Sequence, residues 1–497
     1  MRVRRSGVLL PVSSLPSPFG IGDLGPSACR FIDLLADAGQ SFWQILPLNP
    51  IRAGGSNSPY DSISAFAANP LLISPEVMVE DDLLAGREID PVPSFPGERV
   101  DYGAVIEHKE HLFRKAFSRF REREERREYE RFCSEHPWLE DFALFASLKE
   151  RFGGRMWSEW PDGLRERHPE ALEAARAEES EGMEYRMFQQ YLFFTQWSRI
   201  RQYAAERGVR IIGDMAIYVA YDSADVWAHP EIFNLDDERQ PITVAGVPPD
   251  IFSDIGQLWG NPVYRWEELA GRGYRWWVRR FERVFELYDM VRIDHFRGFI
   301  GYWEIPADET DAVIGEWKRG PGAEFFRFLQ RKFLTFPVIA EDLGVITADV
   351  REVVREFNFP GIRVLLFAFV ERVPDNPHMP HNHVQNCVLY TGTHDNNTVL
   401  GWFEQDATPE ERERVFSYMG REIAPGEISG EFVRLALMSV ADTVIIPIQD
   451  YLGLGAEARV NRPGTHEGNW EWRISPDLLT PDLARRMKDL AYTYERL

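Results

Sequence analysis

The chain has 497 residues, room for one large elaborated domain or two to three ordinary ones. Hydrophobic residues make up 44% and charged residues 27%, which excludes a disordered chain; the formal net charge of −23 would repel a polyanion, which excludes nucleic acid as a partner. No stretch approaches the roughly 18–20 apolar residues of a membrane helix, and the apolar run Val8 to Val12, with Pro11 inside it, is too short for a secretory leader. Cys29, Cys133 and Cys387 lie far apart in no metal-binding spacing, so a reduced, cytoplasmic compartment is expected and no metal or cofactor is called for.

Eight short apolar runs, rich in β-branched residues, follow one another along the chain: 7–15, 41–48, 209–219, 289–296, 337–344, 361–369, 386–395 and 443–450. Near-continuous apolar runs suit strands covered on both faces. Helix-like segments lie between most of them. "SACRFIDLLADAGQ" follows the first run. "MFQQYLFFTQWSRIRQYAAERG" precedes the third and ends in Gly208, a C-cap candidate. "RWWVRRFERVFELY", "GAEFFRFLQRKF" and "TADVREVVREF" precede the fourth, fifth and sixth, the last with Thr347 at its N-cap. Alternating strands and helices predict an α/β fold, a (β/α)8 TIM barrel. An open doubly wound sheet is the alternative, but no GxGxxG or GxxxxGK[ST] turn follows any strand.

The rhythm breaks twice. About 160 residues separate the second and third runs, and about 70 the third and fourth. The chain is therefore read as a single catalytic barrel over 1–497, with a mostly helical insertion at 55–200 after strand 2 and a second insertion at 220–285 after strand 3, both on the C-terminal face where barrels build their sites. "RFREREERREYERF" (118–131) reads as a solvated helix face. The Gly- and Pro-rich 245–264 reads as a structured loop, a candidate lid. Most of the 15 Trp, 17 Tyr and 33 Phe are expected in the core; some would serve as platforms for a flat or ring-shaped ligand such as a sugar.

"VRIDHFRGF" (291–299) carries more charge than a buried strand tolerates. The same holds at other strand ends: Asp214 in the third run, Arg292, Asp294 and His295 in the fourth, Glu341 and Asp342 in the fifth, His394 and Asp395 in the seventh. A barrel would bring these ends to one mouth. Several carboxylates there permit a divalent-metal site or glycoside chemistry, which needs one ionised carboxylate and one whose pKa is raised. Arg292, two residues before Asp294, shares its strand face and would hold it ionised, which suits a nucleophile. Glu341, after the apolar "PVIA", would be desolvated, which suits a general acid. The competing structural readings are a core histidine for His295, an ion-pair partner for Arg297, and a structural role for Asp342 facing away from Glu341.

At these residues "RIDHFRG", "AEDLG" and "TGTHDNNT" resemble segments of the 4-α-glucanotransferases called amylomaltase or disproportionating enzyme, members of the α-amylase clan. "GVLLPVSSLPSPFGIGDLG", "SFWQILPLNP", "SPYDSISAFAANP", "GDMAIYVAYDSADVW", "GVPPDIFSDIGQLWGNPVY" and "NRPGTHEGNWEWR" extend the resemblance, in family order, from about residue 6 to the C-terminus. It implies retaining double displacement on α-1,4-glucans and malto-oligosaccharides. Asp294 would be the nucleophile, Glu341 the general acid/base and Asp395 the third carboxylate, binding the sugar's 2- and 3-hydroxyls. Tyr60, Asp214, Arg292 and His394 would hold the sugar bearing the scissile bond. Asp250 and Trp259 would lie on a loop over the acceptor side, and Asn469 would complete the substrate contacts. A retaining pair of carboxyls would lie roughly 5–5.5 Å apart. The alternatives are a retaining glucan hydrolase with the same carboxylates and a non-catalytic glucan-binding protein. The sequence does not choose between a monomer and a weak dimer.

Overall fold

The computed structural model describes residues 4–52, 55–249, 253–370, 373–465 and 467–497. In chain order its strands are β1 (Arg5–Leu9), β2 (Phe42–Gln44), β3 (Arg210–Met215), β4 (Thr243–Val247), β5 (Gln257–Pro262), β6 (Met290–Ile293), β7 (Gly301–Pro306), β8 (Glu316–Arg319), β9 (Val338–Ala340), β10 (Gly361–Val364), β11 (Cys387–Tyr390) and β12 (Thr443–Pro447). Eight of them close a parallel barrel in the order β1-β2-β3-β6-β9-β10-β11-β12. Each falls within, or overlaps, one of the eight apolar runs, and each neighbours the next in sequence, as right-handed βαβ crossovers require. The closed ladder removes the open-sheet alternative.

The local chemistry explains the elements. Strands such as "TVIIP" (β12) are β-branched and buried to the last residue but one end. The helices before β3 (Ser180–Glu206), β6 (Arg275–Leu287), β9 (Gly322–Lys332) and β10 (Ala348–Glu356) fall where their apolar spacing predicts. Gly208, at φ +72°, turns the chain out of the first of these. Thr347 occupies the N-cap position of the last, although its side chain makes no capping bond. Gly213 in β3 is a place where only glycine fits: a Cβ there would stand 2.2 Å from the Tyr288 ring.

Two local readings need correction. The charged stretch 118–131 is not one helix face. One helix ends at Arg121 and the next begins at Arg127. Residues 121–128 contain no apolar side chain to seat a helix on the core, and the turn is tied down instead by Arg121 and Arg126 pairing with Glu184. The segment 245–264 is not a loop throughout. It carries β4 and β5, which join β7 and β8 in an antiparallel sheet of order β5-β4-β7-β8. Backbone pairing holds β5 although three of its six residues, Leu258 to Gly260, are exposed.

Candidate active site

Neighbouring strands β3 and β6 pair Asp214 with Arg292. The guanidinium donates from Nη1 to both Asp214 oxygens, at 2.9 and 2.7 Å. Its Nη2 lies 2.9 Å from Asp294 Oδ1, just past the end of β6. Burial alone would favour discharging Arg292; the two carboxylates more than offset it and hold the guanidinium charged. Asp214 shows the opposite balance. Its burial outweighs the Arg292 charge and pushes the carboxyl up to about 6.

Glu341 follows β9, the strand beside β6. Only 9% of it is exposed. Its Oε2 accepts the His295 backbone N–H at 2.7 Å and its Oε1 accepts the Leu343 N–H at 2.8 Å. Burial drives its pKa up, the Arg292 charge pulls it down and the Asp294 charge adds to the rise, leaving the group at about 7. One carboxylate is thus ion-paired and partly open, and its neighbour is desolvated and ready to carry a proton.

Tyr60 reaches the same mouth from the segment after β2. Its hydroxyl donates to Asp214 Oδ2 at 2.9 Å and lies 3.0 Å from His394 Nε2. With that hydroxyl donating to Asp214, His394 Nε2–H is the donor toward Tyr60. The two rings stack at 5.3 Å and 15°. His394 Nε2 also lies 3.3 Å from Asp395 Oδ2. Two residues absent from the sequence reading complete this wall. Asn461 donates to Asp395 Oδ1 at 2.6 Å, and Trp470, at φ +65°, sets its ring 5.7 Å from Tyr60 and 5.9 Å from His394. Both lie well beyond the end of β12, past a short helix at Ile448–Leu452, so the rule that polar strand ends converge does not reach them.

Trp259, on β5, is 36% exposed and meets the His295 ring edge-on at 4.8 Å. His295 itself is half-buried, at φ +49°, and stays neutral because desolvation and the Arg297 charge push it down to about 3. Its left-handed turn is what presents its N–H to Glu341. Asp250 lies outside the described residues. Asn469 is bound into its own loop: Oδ1 accepts from Arg462 N–H at 2.8 Å and Nδ2 donates to Thr465. It therefore shapes the turn that carries Trp470 and has no hydrogen bond to the carboxylates. Asp342 turns away to accept from Ile362 N–H at 2.6 Å and to pair with Arg363. Arg297 forms no ion pair among the described residues: it donates to the Val345 carbonyl and lies 4.0 Å over the Trp317 ring, with Asp349 and Glu341 acting on its charge only at longer range.

Among the described residues, no group of three or more His, Cys, Asp or Glu side chains is placed to hold a metal ion. Arg292 occupies the space between Asp214 and Asp294 where a cation would have to sit.

A (β/α)8 barrel whose mouth joins an ion-paired aspartate, a desolvated glutamate and an aromatic wall is the architecture of an enzyme acting on glycosidic bonds. A family model described as 4-alpha-glucanotransferase matches residues 10–480. The chain is 48% identical over 476 residues to the 4-alpha-glucanotransferase of Aquifex aeolicus, with 96% of each chain covered. It is 45% identical over 508 residues to that of Thermus thermophilus, with 99% of each covered. The solved amylomaltase from Streptococcus agalactiae in complex with acarbose is 38% identical, with a TM-score of 0.96 and 99% of both chains covered. The chain belongs to the 4-α-glucanotransferase family.

Proposed function

We propose that this chain transfers α-1,4-glucan segments between malto-oligosaccharides by two displacements, through a covalent glycosyl-enzyme. In the first, Asp294 attacks the anomeric carbon while protonated Glu341 gives its proton to the leaving glucan oxygen. In the second, Glu341, now a carboxylate, takes the proton from an acceptor sugar hydroxyl as that oxygen displaces Asp294. Asp395, aligned by Asn461 and His394, accepts hydrogen bonds from the ring hydroxyls of the sugar being transferred. Asp214, Arg292, Tyr60 and His394 hold that sugar from below and behind. Trp259, with Asp250 on the same segment, covers the acceptor side and keeps water from taking the acceptor's place. The observation that carries this reading is the contrast between Asp294, fixed by Arg292, and Glu341, pushed up to about 7.

The whole chain 1–497 acts on this reading as one catalytic unit, with 55–200 and 220–285 as insertions that wall the barrel mouth. Three unpaired cysteines support a reducing, cytoplasmic setting. No helix among the described residues is long and apolar enough to cross a membrane.

The test is maltotriose alone, with the wild type beside Asp294→Asn, following glucose and chain lengths. Glucose together with maltopentaose and longer chains, absent from the variant, is the expected result. Shorter sugars only, with one new reducing end per cleavage, would make the protein a hydrolase.

A further inference from the structure

A second cavity, of about 580 Å³, opens between β8, the segment after Glu341 and the helix Ala348–Glu356. That volume falls in the range of small-ligand pockets, roughly 300–1,000 Å³. Its centrepiece is Trp317, 42% exposed. The indole is held at a fixed tilt: Arg297 lies 4.0 Å over one face and Trp303 meets it at 5.4 Å and 63°. A large aromatic held rigidly yet left exposed is a platform rather than a core plug.

The walls carry both signs of charge. Asp349, Glu352 and Glu356 share one face of the helix, and Arg319 stands on β8 across from them. Among the described residues neither Arg319 nor Glu352 forms an ion pair, whereas Glu356 is held by Arg327 at 2.7 Å. Arg297, on the inner wall, is only 7% exposed, and its Nε has no hydrogen-bond partner. An unsatisfied buried donor beside a cavity asks for an acceptor. An anionic ligand would meet three carboxylates, and a cationic one two guanidiniums and Lys318. A neutral polyol suits both walls, because each hydroxyl donates and accepts, and the apolar face of a pyranose suits the indole.

We propose that this cavity is a second glucan-binding site, in which one glucose ring of an α-glucan packs on Trp317 and its hydroxyls bridge Arg319 and Arg297 to Asp349 and Glu352. The identity of the sugar rests on the function proposed above; the cavity's preference for a neutral polyol does not. The site is distinct from the barrel mouth, but its walls continue directly from the segments that carry Asp294 and Glu341.

The experiment titrates maltoheptaose into Asp294→Asn by calorimetry, with Asp294→Asn/Trp317→Ala and Asp294→Asn/Arg319→Gln beside it. Two classes of site are expected in the first protein. Trp317→Ala should abolish one class and leave the other within twofold, and Arg319→Gln, a change at an exposed position, should weaken the same class at least fivefold. A single class in the Asp294→Asn protein, or two classes that both survive Trp317→Ala and Arg319→Gln, would overturn the proposal. Failure of the wild type to disproportionate maltotriose would overturn the catalytic reading, while the titration still reports on the cavity.

Discussion

Arg292 joins Asp214 and Asp294 through one guanidinium, with Nη1 on the first carboxylate at 2.7 Å and Nη2 on the second at 2.9 Å. The two carboxylates, proposed as sugar-holding group and nucleophile, therefore share one cation. Arg292→Met should abolish transfer and leave buried Asp214 without its partner, a loss of about 3–5 kcal/mol in stability. Because acid lets Asp214 take up a proton, the deficit should shrink as pH falls. Urea midpoints of both proteins at pH 8 and pH 5 measure this, and equal deficits at the two pH values would count against it.

On the proposed reading Glu341 is protonated in the first displacement. With its carboxyl at about 7, kcat/KM for maltotriose should fall about tenfold per pH unit above that value as the proton is lost. A profile flat from pH 6 to 9 would remove Glu341 as the acid. Glu341→Ala should cost on the order of 10²–10⁴ in rate on maltotriose. It should cost far less on an aryl maltoside, whose leaving group departs without a proton.

Trp259, proposed to cover the acceptor side, stands over His295 with about a third of its surface open. Trp259→Ala should loosen acceptor positioning and admit water, lowering kcat/KM for the acceptor on the order of tenfold. Glucose released without matching longer chains would register the shift toward hydrolysis. An unchanged product ratio would show that the indole has no part in excluding water.

Asp450 offers a stability test away from the chemistry. It is buried just beyond β12, accepts hydrogen bonds from Thr391 and from Val399 N–H at 2.8 Å, and burial pushes it up to about 6. A carboxyl whose folded pKa is raised favours the folded state in acid, and that benefit disappears as pH rises from its ordinary value through 6. Asn at this position keeps the Val399 bond on Oδ1 and reverses the other, with Nδ2–H donating to the Thr391 hydroxyl, and it carries no charge. Asp450→Asn should therefore be near neutral at pH 3.5 and more stable by about 2–3 kcal/mol at pH 8. Chemical denaturation at the two values decides, and a variant destabilised equally at both would refute the account.

The barrel was legible because all eight of its strands are buried on both faces, and burial writes itself as uninterrupted apolar runs. The second sheet was not. "TVAGV", "QLWGNP" and "EWKR" are short, broken by glycine and proline or exposed, so their pairing comes from tertiary contact rather than from any local pattern. Asp294 and Glu341 stood out as charges ending apolar strands. Asn461 and Trp470 lie far beyond β12 in a segment without regular structure, where only the folded chain shows what they touch. Asn469 illustrates the converse: it stands in a recognisable motif, yet its side chain closes its own turn.

The ladder between β6 and β9 has a consequence for stereochemistry. Ile293 and Ala340 are register partners, so Asp294 and Glu341 leave adjacent strands at the same height. Parallel neighbours stand about 4.8 Å apart, close to the separation of roughly 5–5.5 Å that lets one carboxylate attack while its neighbour moves a proton. The barrel's own hydrogen bonds set the two residues side by side, so the base from which both carboxyls project belongs to the barrel and not to a surface loop. A slip of one residue in that register would turn Asp294 to the opposite face of the sheet, so the pairing of the two carboxyls depends on the strands folding in this one register.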